Sequence, residues 1–461
     1  MQRIGKVSAL VGLLLLIWSV LFASTFRYPF FWDDYHLIRH YSGAEIRSAF
    51  HAEPDPDKIE TPGLRPCSIL LYDFQGSVFG ENIVAQHVFM VALMAIFMIA
   101  AGMLLLEVGL SFTQLAVVFA LFVSSRVFAS VVLWISLSHL ILAYTWIVLT
   151  AHFFLRYIRR GRWVSFVFML LTCALATFTR EETYTVPIVL PILWLMSSLD
   201  RSQRRRVAIA ALSLLAIVSF HYLLWHYLVP NALSPKFGFS AVKRVFTAFG
   251  ASWMPRGLKA VTAVDIWFEA LWIIFVVGIV AMFLTLARAR IRWQFLGACC
   301  LGTLLCLPAL GIGRPFGITL PTLAFMSAVS IAVSEVYTQM QIRTDVRTWR
   351  RPAVIVAMTL GLLIGITGGI RRSFEVAESL RPNCAVRILR DSELLLDLNH
   401  PATIPEQRRK AGLAQLESFG IGSVKEVNRL KSDLQNNPGS FPQSRQTGND
   451  IFLSRYDYLS F

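Results

Sequence analysis

The sequence predicts an all-α polytopic membrane protein, and three observations carry the prediction. Hydrophobic residues make up 56% of the 461 and charged residues 15%, with a mean hydropathy of +0.59, too little polar material to cover two or three water-facing domains. Stretches of about 20 residues with few charges recur along most of the chain, the length a helix needs to cross about 30 Å of hydrocarbon. The short alternating segments of a closed barrel do not dominate.

Taken in order, the pattern gives about eleven transmembrane helices. The first, residues 7–24, follows Arg3 and Lys6. It resembles a signal peptide as much as an anchor, and the many later spans favour an uncleaved first helix with a cytoplasmic N-terminus. Residues 25–82 form a polar, proline-containing external loop with amphipathic helices, such as 68–79, able to lie on the membrane surface. The second span is 83–106, segments 114–124 and 127–133 make an interrupted third, and 137–154 is the fourth. Arg156, Arg159, Arg160 and Arg162 close it on the cytoplasmic side. Spans 164–178 and 183–196 meet at the external hairpin Thr179-Arg180-Glu181-Glu182, and Arg201, Arg204, Arg205 and Arg206 mark the return to the cytoplasm. Spans 207–228, 266–286, 295–310, 316–336 and 353–370 follow, with Arg288, Arg290 and Arg292 on an inner turn. Residues 1–370 are therefore one transmembrane domain, and 371–461 a small extracytoplasmic tail, expected as a minor domain or appendage without a catalytic motif.

A net charge of +15 invites a nucleic-acid reading, but the arginines sit in short clusters between apolar segments rather than on one water-facing surface. Their role is topological, and no nucleic-acid partner is expected. Cys173, Cys299, Cys300 and Cys306 fall in apolar segments as small hydrophobes, and no metal-ligand spacing occurs. Cys67 and Cys384 share the outer side, where a disulfide is open to them.

An acidic pair just beyond the first span is the feature that most needs explaining. In Phe31-Trp32-Asp33-Asp34-Tyr35, two carboxylates stand among aromatic side chains suited to the membrane interface or to stacking on a sugar. Sugar transfer from a lipid phosphate needs a general base for the acceptor hydroxyl and a cationic group for the departing phosphate. Adjacent acids can supply the base and either orient it or hold a divalent ion through hard oxygen ligands. The plainer reading is a loop whose acids cap a short helix beginning near Tyr35. Arg180-Glu181-Glu182 is a second constellation, because ionisable residues at the membrane boundary are costly against lipid and often line a cavity. An Arg there can grip a phosphate bidentately, as a Lys cannot, although the turn reads equally as an ordinary polar hairpin tip. Arg314, in Gly313-Arg314-Pro315-Phe316, is a further external cation. His87 and His139 lie near the outer ends of their spans, where a histidine is more often a structural hydrogen-bonder than a catalyst.

Together these residues resemble the GT-C class of integral-membrane glycosyltransferases, which use polyprenyl-phosphate-linked sugars and carry an acidic pair in the first external loop. Asp33-Asp34 after the first span, Arg65-Pro66 opening an amphipathic stretch through Tyr72 to Phe79-Gly80, and His87 beginning the second span look like the first-loop pattern of protein O-mannosyltransferase relatives and of bacterial lipid-linked-sugar transferases. Arg180-Glu181-Glu182 before Thr185 and Pro187 resembles a basic-acidic turn of that class, and Gly313-Arg314 before Leu320-Pro321 a later motif. The resemblance covers roughly residues 31–336. Where the mannosyltransferase branch has a Pro and a Glu before Trp-Ile-Ser and an Arg after it, this chain has Arg126, Ser130 and Ser138 around Trp134-Ile135-Ser136, so sugar and acceptor do not follow.

The resemblance implies transfer of a monosaccharide from a polyprenyl-phosphate donor to an extracytoplasmic protein, lipid or glycan, in a bacterial inner membrane. It implies Asp33 as acid/base, Asp34 as its partner or as the ligand of a divalent cation (Mg or Mn), and Arg180 and Arg314 on the lipid phosphate. Arg65, His87, Glu181 and Glu182 complete the expected substrate site. A transporter or flippase of lipid-linked glycans is the rival reading, since charged residues at membrane depth also serve translocation, but the two related halves usual in transporters are not evident.

Overall fold

The structure, a computed structural model, describes residues 2–51, 64–197, 201–228, 263–306, 318–342, 350–396 and 404–436. Among the described residues every regular element is helical. α1 (Gln2–Leu21) leads into the first loop, which holds α2 (Asp34–Leu37), α3 (Gly43–Ser48) and the longer α4 (Pro66–Phe79). Then come α5 (Ile83–Val108), α6 (Phe112–Ser124), α7 (Arg126–Leu133), α8 (Ser138–Arg160), α9 (Trp163–Thr177), α10 (Val186–Ser197) and α11 (Arg204–Leu228). α12 (Ala263–Leu286), α13 (Ala289–Leu305), α14 (Thr319–Ile342) and α15 (Arg350–Ser379) follow, and α16 (Ala385–Leu395), α17 (Glu406–Ser418) and α18 (Val424–Asn436) belong to the tail.

Among the described residues six helices are long and apolar enough to cross a membrane: α1, α5, α8 with its leading turn, α11, α14 and α15. α6 and α7 make a seventh if their 61° bend is counted as one broken span. The bend has a local cause. Ser125 between them is extended, and its hydroxyl accepts from the Phe128 N–H at 3.3 Å, so it ends one helix while capping the next. α9, α10, α12 and α13 occupy the remaining apolar segments of the sequence. Outward-facing Leu16 and Val20 on α1, Leu212 and Leu223 on α11, and Ile274 and Val277 on α12 are exposed, as side chains that meet lipid rather than water should be.

α14 sits at the centre, packed by α6, α12 and α13, while α15 lies across α6, α7 and α12. That last contact depends on glycine. A Cβ on Gly361 would come within 2.1 Å of the Phe275 ring, and one on Gly365 within 2.3 Å of the Trp272 ring, so α12 and α15 approach only because both positions lack a side chain. Gly365→Leu is accordingly expected to separate these helices and lower the detergent melting temperature by several degrees. The same change at exposed Gly12 of α1, where a Cβ meets nothing within 4 Å, should leave it nearly unaltered. Equal shifts in the two variants would rule out this account.

The apolar side chains divide into two clusters. The larger unites the membrane helices. The smaller joins Phe30, Tyr35, Ile38 and Tyr41 of the first loop, Ile69 and Tyr72 of α4, and Ile135 with Ile388, Leu395 and Leu416 of the tail. The described tail helices and the first loop thus share one core. Cys67 and Cys384 are unbridged.

Candidate active site

The acidic pair lies where the chain turns from the end of α1 onto that smaller core. Asp33 occupies the N-cap position of α2, yet its side chain makes no cap hydrogen bond, so the plain capping role is not what keeps a carboxylate there. Asp34 is 2% exposed, and its two oxygens accept from main-chain donors, the Ser136 N–H at 2.6 Å and the Phe31 N–H at 3.1 Å. Burial pushes the Asp34 carboxyl up to about 7, against the opposing pull of those two N–H groups and of the Arg387 guanidinium. Trp32, just before the pair, has φ +42°, a left-handed conformation that costs a bulky residue about 1–3 kcal/mol and persists only where its surroundings impose it.

Ser136 belongs to a 3-10 turn, Ile135–Leu137, between α7 and α8. Its carbonyl accepts from the Tyr72 hydroxyl at 2.9 Å and lies 2.6 Å from His139 Nδ1. On its other side, His139 Nε2 stands 2.8 Å from Arg180 Nη1. A guanidinium can only donate, so Nε2 is the acceptor and the imidazole proton resides on Nδ1, directed at the Ser136 carbonyl. Arg180 then reaches Glu182 with two parallel bonds, Nε to Oε2 at 3.0 Å and Nη2 to Oε1 at 2.8 Å. The first-loop acid and the Arg-Glu turn, far apart in sequence, therefore meet through Ser136 and His139 in one buried polar chain.

A parallel pair stands beside it. Arg65, entering α4, donates through Nε to both oxygens of Glu181, at 2.8 and 3.1 Å. Burial alone would raise the Glu181 carboxyl, but Arg65 and Arg180 hold it down at about 2. His221 of α11 bonds the Leu64 carbonyl at 2.9 Å and the Tyr184 hydroxyl at 2.8 Å, which fixes the residue before Arg65 and the turn after Glu181 together. α10, which begins at Val186 just after the turn, lines an apolar pocket. Leu105, Ile147, Val186, Leu190, Leu301 and Leu323 line it.

Of the residues expected to form a site, Asp33, Asp34, Arg65, Arg180, Glu181 and Glu182 lie in or beside this network. His87 does not join it: the side chain is buried on α5, with its ring stacked on Phe26 at 5.7 Å. Arg314 lies outside the described residues. For a divalent cation, no group of three or more His, Cys, Asp or Glu side chains is suitably placed among the described residues, and the Asp34 oxygens already serve two N–H donors.

Sequence reasoning missed the tail. Arg387 of α16 donates to the carbonyls of Pro29 at 2.8 Å, Phe30 at 2.6 Å and Leu380. Asp391, one turn on, accepts the Trp32 N–H at 3.0 Å. Arg408 of α17 donates to the carbonyls of Asp34 and Tyr35 at 3.0 Å and of Ile38 at 2.6 Å, and pairs with Glu81 at 2.7 Å. In the sequence, Arg387 and Asp391 read as an ordinary i,i+4 pair on a helix surface; nothing local marks them as buried. Tyr72, Ser136 and His139 carried only the weak signal of lying within or next to the motifs quoted above. No protein-family description matches the chain, and no curated protein is significantly similar to it.

Proposed function

We propose that this protein is a membrane glycosyltransferase that moves a monosaccharide from a polyprenyl-phosphate donor to an acceptor on the extracytoplasmic face. The observation that carries the reading is the buried chain Asp34–Ser136–His139–Arg180–Glu182, which joins an acid pair at the end of a membrane helix to a fork-shaped cation. An acid and a cation are what the reaction needs at its two ends. In the proposed step the acceptor hydroxyl attacks the anomeric carbon and gives its proton to the Asp33 carboxylate. The bond from that carbon to the phosphate oxygen breaks with inversion, and polyprenyl phosphate leaves with the electron pair, its charge met by Arg180. Arg314 is the second proposed phosphate ligand, and Arg65 with Glu181 fixes the turn that presents Arg180. The apolar pocket lined by α10 suits an isoprenoid chain. The proposed topology has eleven spans, a cytoplasmic N-terminus and an inner bacterial membrane as its setting. It is supported by helices at each apolar segment and by arginines on alternate turns.

The test is turnover by purified protein with a panel of radiolabelled polyprenyl-phosphate sugars, comparing wild type with Asp33→Asn. Transfer by wild type that falls at least 100-fold in the variant is the expected result. Equal transfer by both would remove Asp33 from the chemistry. Vesicles in which the protein moves labelled lipid-linked sugar between leaflets, with no transfer to any acceptor, would instead support a flippase.

A further inference from the structure

The tail reaches the first loop with three buried charged side chains, and all three end on its main chain or on groups that fix it. Arg387 takes the carbonyls of Pro29 and Phe30, Asp391 takes the N–H of Trp32, and Arg408 takes the carbonyls of Asp34, Tyr35 and Ile38. These contacts bracket residues 29–38, with Asp33 and Asp34 between them. Arg387 and Asp391 are also bonded to each other at 3.3 Å, so the two upstream anchors are set by one turn of α16. Trp32 stands at the centre of this grip, in a left-handed conformation that its own side chain disfavours. Its ring is held as well, against Trp134 at 5.9 Å and beneath the Arg390 guanidinium at 4.8 Å. With a tail helix bonded to its N–H and another charge over its ring, Trp32 is fitted to clamping the loop rather than to offering an open face to a sugar.

We infer that Asp391 is a positioning residue for the acid pair: by accepting the Trp32 N–H it imposes the left-handed backbone that sets Asp33 and Asp34, and the tail helices α16 and α17 are thereby part of the reacting unit. The inference rests on the transferase reading for its chemical meaning, but not for its structural half. Bulky side chains resist a positive φ and glycine does not. The need for Asp391 should therefore depend on what occupies position 32, a dependence that general loss of folding would not produce.

Hydrogen–deuterium exchange on the full chain in detergent, alongside donor kinetics, tests it with Asp391→Ala, Trp32→Gly and the double variant. Asp391→Ala should speed exchange across residues 29–38 at least tenfold while α5 and α8 stay as protected as in wild type. It should also lower kcat at least tenfold with donor KM within twofold. In the Trp32→Gly background the same change should alter exchange and kcat by less than threefold. Unchanged exchange at 29–38 in Asp391→Ala, an equal penalty in both backgrounds, or exchange that rises across α5 and α8 as well, overturns the inference. If exchange behaves as expected but wild type transfers no sugar, the transferase reading fails while the anchoring of the loop stands.

Discussion

Asp34→Ala is expected to abolish transfer and weaken the fold, whereas Asp33→Asn is expected to abolish transfer and leave the fold largely intact. The difference follows from what each carboxylate touches. Asp34 is 2% exposed and takes two main-chain N–H groups, so Ala leaves the Ser136 and Phe31 donors without their acceptor. A buried donor stripped of its acceptor costs about 1–3 kcal/mol, which puts the loss at roughly 2–6 kcal/mol. Asp33 bonds no N–H of the helix it precedes, and its amide variant keeps the shape while removing the base, a loss of about 10²–10⁴ in rate.

The acidity of Asp34 adds a dependence with a definite sign. Burial holds its carboxyl at about 7 in the folded protein, above the ordinary value of 3.8, so the folded state keeps a proton that the unfolded chain releases. Its contribution to stability is therefore full below about pH 4 and is lost as pH rises through about 7. The melting temperature of wild type relative to Asp34→Asn, which has no titrating group at this position, should fall across that window. Parallel melting curves for the two proteins between pH 4 and 8 would show that Asp34 does not titrate in this way.

The membrane helices were legible because a span is written locally: about 20 apolar residues between polar turns suffice, whatever they pack against. The acid pair and the Arg-Glu turn were legible for a related reason, since charge beside a hydrophobic segment stands out in any sequence. What joins them was not. His139 acquires its role from Arg180 on one side and the Ser136 carbonyl on the other, contacts between segments with no shared pattern. The tail was least legible, because Arg387, Asp391 and Arg408 lie on helices of ordinary composition and act on main-chain atoms of a distant loop. A side chain that binds backbone leaves no partner residue in the sequence to betray it.

Arg180 should give the sharpest separation of structure from chemistry. Its guanidinium and the Glu182 carboxylate are both buried and make a two-bond fork, so Arg180→Ala leaves an unpaired charge in a place water does not reach. Breaking such a pair costs about 3–5 kcal/mol, whereas removing both partners costs much less because no bare charge remains. Arg180→Ala is thus expected to unfold the hairpin region, and Arg180→Ala with Glu182→Ala to regain most of the lost melting temperature. Transfer should not return with it. If Arg180 exchanges its fork from Glu182 to the donor phosphate, the refolded double variant still lacks the phosphate ligand and should stay at least 100-fold below wild type in kcat/KM. Arg180→Lys keeps the charge but not the fork, and should fall between the two in stability while remaining poor in transfer. A double variant that is stable and fully active would take Arg180 out of the reaction. A double variant no more stable than Arg180→Ala would mean that the buried pair is not what the mutation breaks.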